Sequence, residues 1–228
     1  MEKKNTILLT VIAIATLLVA VVGATFAYFT ATITTTNDTN ATTEVKTAAL
    51  TSVSFDYGKT ISSTNGVVYP GYKDAKEMHL VGSCPAGQTD CQDVNTTITV
   101  TANIDSDFGT DVTWSLYESA TPISAVTVAD GDGYTLSTNG LCATKLNTVN
   151  NQYSMDAKCP SFSGSAILTG NATDATGKTK QVTVSKTTDT YYYLVVDYKN
   201  DTTQAQNAQG KTFSVTMDYD STNVTVAP

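Results

Sequence analysis

Arginine is missing from this chain, histidine and tryptophan occur once each (His79 and Trp114), and only 15% of the residues are charged. Each shortage excludes something. The guanidinium fork grips phosphate through paired hydrogen bonds, so a chain without it, at a formal net charge of −8, is not built to bind nucleic acid. One His and no His-Glu-x-x-His motif leave too few ligands for the usual zinc hydrolase, which holds its metal through three protein side chains. On these grounds no catalytic residue, metal ligand or cofactor is assigned. Helical periodicity is also scarce beyond the N-terminal apolar run. What the chain has in excess is Thr, 43 of 228 residues, together with 12 Tyr. β-branched and aromatic side chains fit extended backbone better than helix, so the chain is expected to be mostly strand.

Lys3 and Lys4 precede the uncharged run Ile7–Val22, which closes on Gly23-Ala24-Thr25-Phe26-Ala27 and then Tyr28. A basic start, an apolar stretch and small residues at the −3 and −1 positions, Thr25 and Ala27, read as an export signal (residues 1–27) cut before Tyr28. The alternative is an uncleaved anchor, because Ile7 to Phe29 is 23 residues and a helix of about 20 crosses a bilayer. Only this N-terminal helix would touch a membrane. Cleavage after Ala27 would leave 201 residues carrying 11 Lys against 20 acidic residues.

Past the signal, Phe29, Ala31 and Ile33 alternate with Thr30, Thr32 and Thr34, the period of a strand with one apolar face. Residues 35–43 hold no large apolar side chain and read as a tether, so residues 28–43 form a strand-plus-tether arm and residues 44–228 the domain. Within the domain, alternation marks strands at Val53, Phe55, Tyr57; at Ile98, Val100, Ala102, Ile104; and at Val112, Trp114, Leu116, with Trp114 on the inward phase. Val126 and Val128 on one side of Asp130-Gly131-Asp132-Gly133, with Tyr134 and Leu136 on the other, predict a hairpin. Tyr192, Leu194, Val196 and Tyr198 predict one inward face; Phe213, Val215, Met217 and Tyr219 predict its partner. Residues 138–190 are mostly polar, with possible strands at 166–168 and 182–184, and read as a variable insertion decorating one end. Short strands separated by turn residues predict an all-β fold, an antiparallel β-sandwich of jelly-roll type.

Four cysteines in an exported chain point to two disulfides, and three pairings are possible. Cys84 and Cys91 bracket one short loop and Cys142 and Cys159 a second segment, so local closure is expected in each, at the least entropy cost. Neither pair has the close spacing of a zinc ribbon. Asp130 and Asp132 lack the following acidic ligand of a calcium loop and read as a turn. His79 reads as a strand or surface residue. Asn-x-Thr sequons at Asn37, Asn40, Asn95, Asn171, Asn200 and Asn223 follow from a composition rich in Asn and Thr. Of the adjacent Tyr191, Tyr192 and Tyr193, one or two are expected in the core and the rest at solvent or a partner.

The signal ending Gly23-Ala24-Thr25-Phe26-Ala27-Tyr28-Phe29-Thr30 resembles those of the TasA and camelysin group of proteins exported by Gram-positive bacteria. So do the Tyr69-Pro70-Gly71 turn and the C-terminal segments Tyr192–Tyr198 and Gly210-Lys211-Thr212-Phe213-Ser214-Val215. The resemblance touches both ends of the chain and not residues 138–190. It implies a jelly-roll subunit that polymerises into extracellular fibres of the biofilm matrix, the N-terminal strand of one subunit completing the sheet of its neighbour. The metallopeptidase label of some members is where this chain departs, through its single His. The leading expectation is a non-enzymatic subunit, extracellular or at the cell surface, that self-associates and meets other matrix or cell-wall components. Phe29, Ala31 and Ile33 would anchor the donor strand, unless residues 28–34 pair within their own subunit. The alternatives are a monomeric surface adhesin binding through the two cysteine-bounded loops and, last, a secreted metallopeptidase.

Overall fold

A computed structural model describes residues 45–47, 50–55, 59–63, 68–84, 91–149, 152–174, 177–200 and 210–227. The strands are β1 (Val45–Thr47), β2 (Leu50–Phe55), β3 (Lys59–Ser62), β4 (Lys73–Ser83), β5 (Val94–Ile104), β6 (Val112–Ser119), β7 (Thr135–Leu136), β8 (Ala143–Val149), β9 (Gln152–Lys158), β10 (Leu168–Asn171), β11 (Lys178–Val184), β12 (Thr190–Tyr198) and β13 (Phe213–Val226). Every pairing is antiparallel. A six-stranded sheet runs β1-β2-β4-β12-β6-β10, a four-stranded sheet runs β11-β5-β13-β3, and β7-β8-β9 form a small third sheet. The two larger sheets pack as a sandwich.

Alternation explains that packing. Val112, Trp114 and Leu116 of β6 sit opposite Tyr198, Val196 and Leu194 of β12, and all six are buried. From the facing sheet, Ile98 and Val100 of β5 meet Tyr219 and Met217 of β13 in register. The two sets share one core with Phe213 and Val215, as the inward faces read from the sequence require. Burying each such side chain stabilises the fold by roughly 1.5–3 kcal/mol. Phe108, carried on a single 3-10 turn at Ser106–Phe108, closes one pole with edge-to-face contacts to Tyr198 and Phe213.

β12 departs from simple alternation. Tyr192 to Val196 are all buried, because the outer face of this central strand is also covered. The cover is a flap built from residues 121–149 and 152–166. Cys142, Leu141, Cys159 and Phe162 pack onto Ala75, Val195 and Tyr117, and Phe162 stacks on the Tyr117 ring at 5.4 Å.

The flap corrects two expectations. The hairpin expected between Val126–Val128 and Tyr134–Leu136 is not formed: Val126 N–H donates to the Leu141 carbonyl, and β7 instead pairs with β8, Leu136 opposite Ala143. Residues 138–190 do not act as one insertion either. The first part, through β9, decorates the sheet. β10 and β11 are strands of the two main sheets, because Val182 and Val184 reach the core and Leu168 packs against it. β2 falls on the strand expected at Val53 and Phe55, whereas Tyr57 lies outside the described residues.

Candidate functional site

Both disulfides join the expected partners. Cys84–Cys91 closes the connection from β4 to β5, across the two sheets. Cys142–Cys159 lies one position beyond the paired residues Ala143 and Lys158, so it extends the β8–β9 ladder by one covalent rung. The export-signal positions Thr25, Ala27 and Tyr28 and the donor-strand positions Phe29, Ala31 and Ile33 lie outside the described residues.

Two places could meet a partner. The first is a lateral seam where the sandwich ends in β10 on one sheet and β11 on the other. Among the described residues β10 pairs only with β6, and β11 only with β5. Ile167, Leu168 and Ala172 are partly buried along it, and Val182 and Val184 point inward from β11. Gly170 stands opposite Trp114, so only backbone covers the indole on that side. One side chain bridges the seam. Lys178 Nζ donates to the Thr169 carbonyl at 2.6 Å, pairs with Asp174 Oδ1 at 3.1 Å and lies 5.8 Å from the centre of the Trp114 ring. Lys178, followed by the Asn171 N–H, holds the Asp174 carboxyl below the usual carboxylate range. Lys178 and exposed Lys180 also place charge on β11, which keeps an edge from pairing indiscriminately.

The second place is a cleft of about 520 Å³ at one pole, lined by Glu118, Asp189, Tyr191 and the threonines 187, 188 and 190. Among the described residues, an aromatic ring and a carboxylate lie beside His79. Its ring stacks parallel to Tyr191 at 4.3 Å, and its Nε2 lies 3.3 Å from Asp189 Oδ2 without the alignment of a hydrogen bond. Nearby, Lys186 donates from Nζ to the Cys91 carbonyl at 2.7 Å and from its backbone to Asp93 at 2.9 Å. The loop before β12 is thereby fastened to the base of the Cys84–Cys91 loop.

The three consecutive tyrosines divide three ways. Tyr192 enters the core and Tyr191 remains half-buried against His79. Tyr193 is sealed beneath the flap, where its hydroxyl donates to Glu77 at 2.8 Å and accepts from Ile123 N–H at 2.7 Å; burial, then Glu77, drives its phenol upward. Asp130 and Asp132 lie in a turn with Gly131 and Gly133 at positive φ, and Asp132 pairs with Lys158 at 3.6 Å. The seam escaped the sequence reading, because alternation reports which face is buried and not which strand is last in its sheet. The lysines on β11 were the available signal. No protein-family model, curated protein or solved structure matches this chain, so its function has to be argued from its own residues and geometry.

Proposed function

We propose that the protein is an exported, jelly-roll structural subunit that assembles into extracellular fibres. The strand at residues 28–34, freed by cleavage after Ala27, adds to a neighbouring subunit. The observation that carries this reading is the placement of the two ends of the six-stranded sheet. The chain enters the fold at β1, one outer strand, while β10 and the seam lie at the other. Five strand spacings separate them, about 24 Å. A strand that leaves one end and docks at the opposite end of the next copy makes a head-to-tail contact, and a head-to-tail contact that does not close makes a filament. Main-chain hydrogen bonds supply the affinity, and Phe29, Ala31 and Ile33 supply the register through alternate pockets. The tether, residues 35–43, reaches at most about 30 Å. That barely exceeds the width of its own sheet, so a neighbour's seam is the easier one to fill.

Electron microscopy of residues 28–228 and 35–228 tests this. Filaments are expected from the first and none from the second, with the same circular dichroism from both. Filaments from the shorter chain would sink the donor-strand mechanism.

One observation favours a second reading, a monomeric adhesin. Lys186 ties Cys91, one end of the first disulfide, to the loop that lines the cleft, and loops held on rigid strands often carry recognition. A saturable ligand for a chain that stays monomeric would decide for it.

A further inference from the structure

Asp74 is a carboxyl group in an unusual place. It lies on β4 in the phase of Met78 and Leu80, directly opposite Val196, and only 3% of it is exposed. Its Oδ1 takes the Ala75 N–H at 2.8 Å and lies 2.6 Å from Ser137 Oγ in the flap; its Oδ2 is 3.4 Å from the Tyr72 hydroxyl. The same Ser137 Oγ lies 2.7 Å from the Cys142 carbonyl. A serine hydroxyl has one proton, and here it faces two acceptors at hydrogen-bonding distance. The Cys142 carbonyl can only accept. The conflict vanishes if the acid itself supplies a proton: Asp74 O–H donates to Ser137 Oγ, and Ser137 donates to Cys142.

We propose that Asp74 keeps its proton in the folded protein and works as a proton lock, fastening the disulfide flap to the edge of β4. The lock sits where, among the described residues, no other strand of the sheet pairs with that edge. Among those residues β2 pairs with β4 only from Leu80 to Ser83, and the flap occupies the earlier part, where Leu141 N–H donates to the Ala75 carbonyl at 2.8 Å. Gly140 lets the flap come this close, since a Cβ there would stand 2.5 Å from Asp74 Oδ1.

The surroundings favour the neutral acid on balance. Burial raises the Asp74 pKa and outweighs the groups that lower it: the Ser137 hydroxyl where it donates, then the Ala75 N–H, Lys76 and the Tyr72 hydroxyl. Lys76 also donates to the Thr138 carbonyl of the flap at 3.3 Å. From β12, Asp197 lies one position beyond Val196 and is paired with Lys73 at 3.1 Å. The flap itself presents Ser137, Gly140 and the Cys142 carbonyl, none of which ionises. Between the ordinary Asp value of 3.8 and the folded midpoint the folded state holds a proton that the unfolded chain has released, so stability falls as pH rises through that window. Ionisation takes that proton away, and Ser137, its own proton engaged by the Cys142 carbonyl, then faces a bare carboxylate oxygen at 2.6 Å. The flap then loosens, uncovering the β4 edge near Ala75 and the aromatic surface around Tyr193 and Phe162.

The sign of one mutation decides the proposal. A Ser137 hydroxyl that donates to an ionised Asp74 holds the carboxyl pKa down, so Ser137→Ala would raise it; a Ser137 that accepts from the acid holds it up, so Ser137→Ala lowers it. The experiment is a carbon-detected NMR titration of the Asp74 carboxyl in the full folded domain, run beside amide exchange. The expected results are a wild-type midpoint above 3.8, a lower midpoint in Ser137→Ala, and protection of the Leu141 amide that falls faster above the midpoint than intrinsic exchange rises. In Asp74→Asn, whose amide donates at every pH, that excess loss should disappear. A midpoint at or below 3.8, or a rise in Ser137→Ala, overturns the lock. Should Asp74→Asn fail to fold, the Ser137→Ala titration still gives the answer.

Discussion

Gly170 of β10 lies directly opposite Trp114 of β6, and a Cβ added to it would stand 2.6 Å from the indole. Trp114 is fully buried and cannot retreat without displacing the packed core. Gly170→Ala should therefore cost about 1–3 kcal/mol, the usual range for overpacking. Gly177→Ala is the control, because its Cβ would meet nothing closer than 3.5 Å. Urea denaturation of both variants checks the contrast: the first should lose stability and the second stay within about 0.5 kcal/mol of the parent.

The Cys142–Cys159 rung should matter locally. Its 17-residue separation corresponds to roughly 3 kcal/mol of loop-closure stabilisation. Replacing both cysteines by serine should raise amide exchange across β8 and β9. Exchange in β5 and β13, whose ladder is independent of the flap, should stay unchanged. Equal loss across all four strands would show that flap and sandwich unfold as one unit.

What the sequence made legible follows from periodicity. Val112, Trp114 and Leu116, and the alternating runs of β5, β12 and β13, declare their buried faces at period two. Local closure of both cysteine pairs was legible too, since nearby cysteines lose little entropy on joining. The flap was not. Tyr193 and Val195 occupy what alternation marks as an outer face, and their burial depends on residues dozens of positions away, Phe162 and Cys142. The turn at Asp130–Gly133 was legible as a turn and misleading as a hairpin, because turn chemistry fixes a bend and leaves its partners open. Nor did spacing place Asp74 beside Ser137. An acidic residue in the inward phase of Met78 and Leu80 was the one cue.

Lys178 should govern the seam. It is the first cause of the lowered Asp174 pKa, so Lys178→Met is expected to move that carboxyl back up toward 3.8. The sign for the parent chain follows: a depressed folded pKa contributes stability above the unfolded value, lost as pH falls through the folded one. Both groups keep about a third of their surface in solvent, so the effect on global stability should be small. The informative readout is amide exchange in β10, expected to quicken in Lys178→Met at neutral pH and in the parent only under acid. Unchanged exchange would mean that Lys178 does not hold the seam.

The donor-strand proposal makes its sharpest commitment at Ile33. Its side chain belongs to the apolar alternation Phe29, Ala31, Ile33, and the proposal places it in a pocket of the neighbouring subunit. Ile33→Asp forfeits the transfer energy of that side chain, roughly 1.5–3 kcal/mol, and adds several kcal/mol for taking a carboxylate out of water. At about 1.4 kcal/mol for each tenfold in affinity, assembly should fall by several orders of magnitude. The sandwich should not notice. Residues 35–43 stand between Ile33 and β1, so the melting temperature of the monomer should equal that of the parent. Sedimentation at matched concentration and thermal denaturation read the two halves separately. Assembly that survives the carboxylate rules out Ile33 as an anchor. A lowered monomer melting temperature returns the strand to its own subunit, where it would be one more edge of the sandwich and no link between copies.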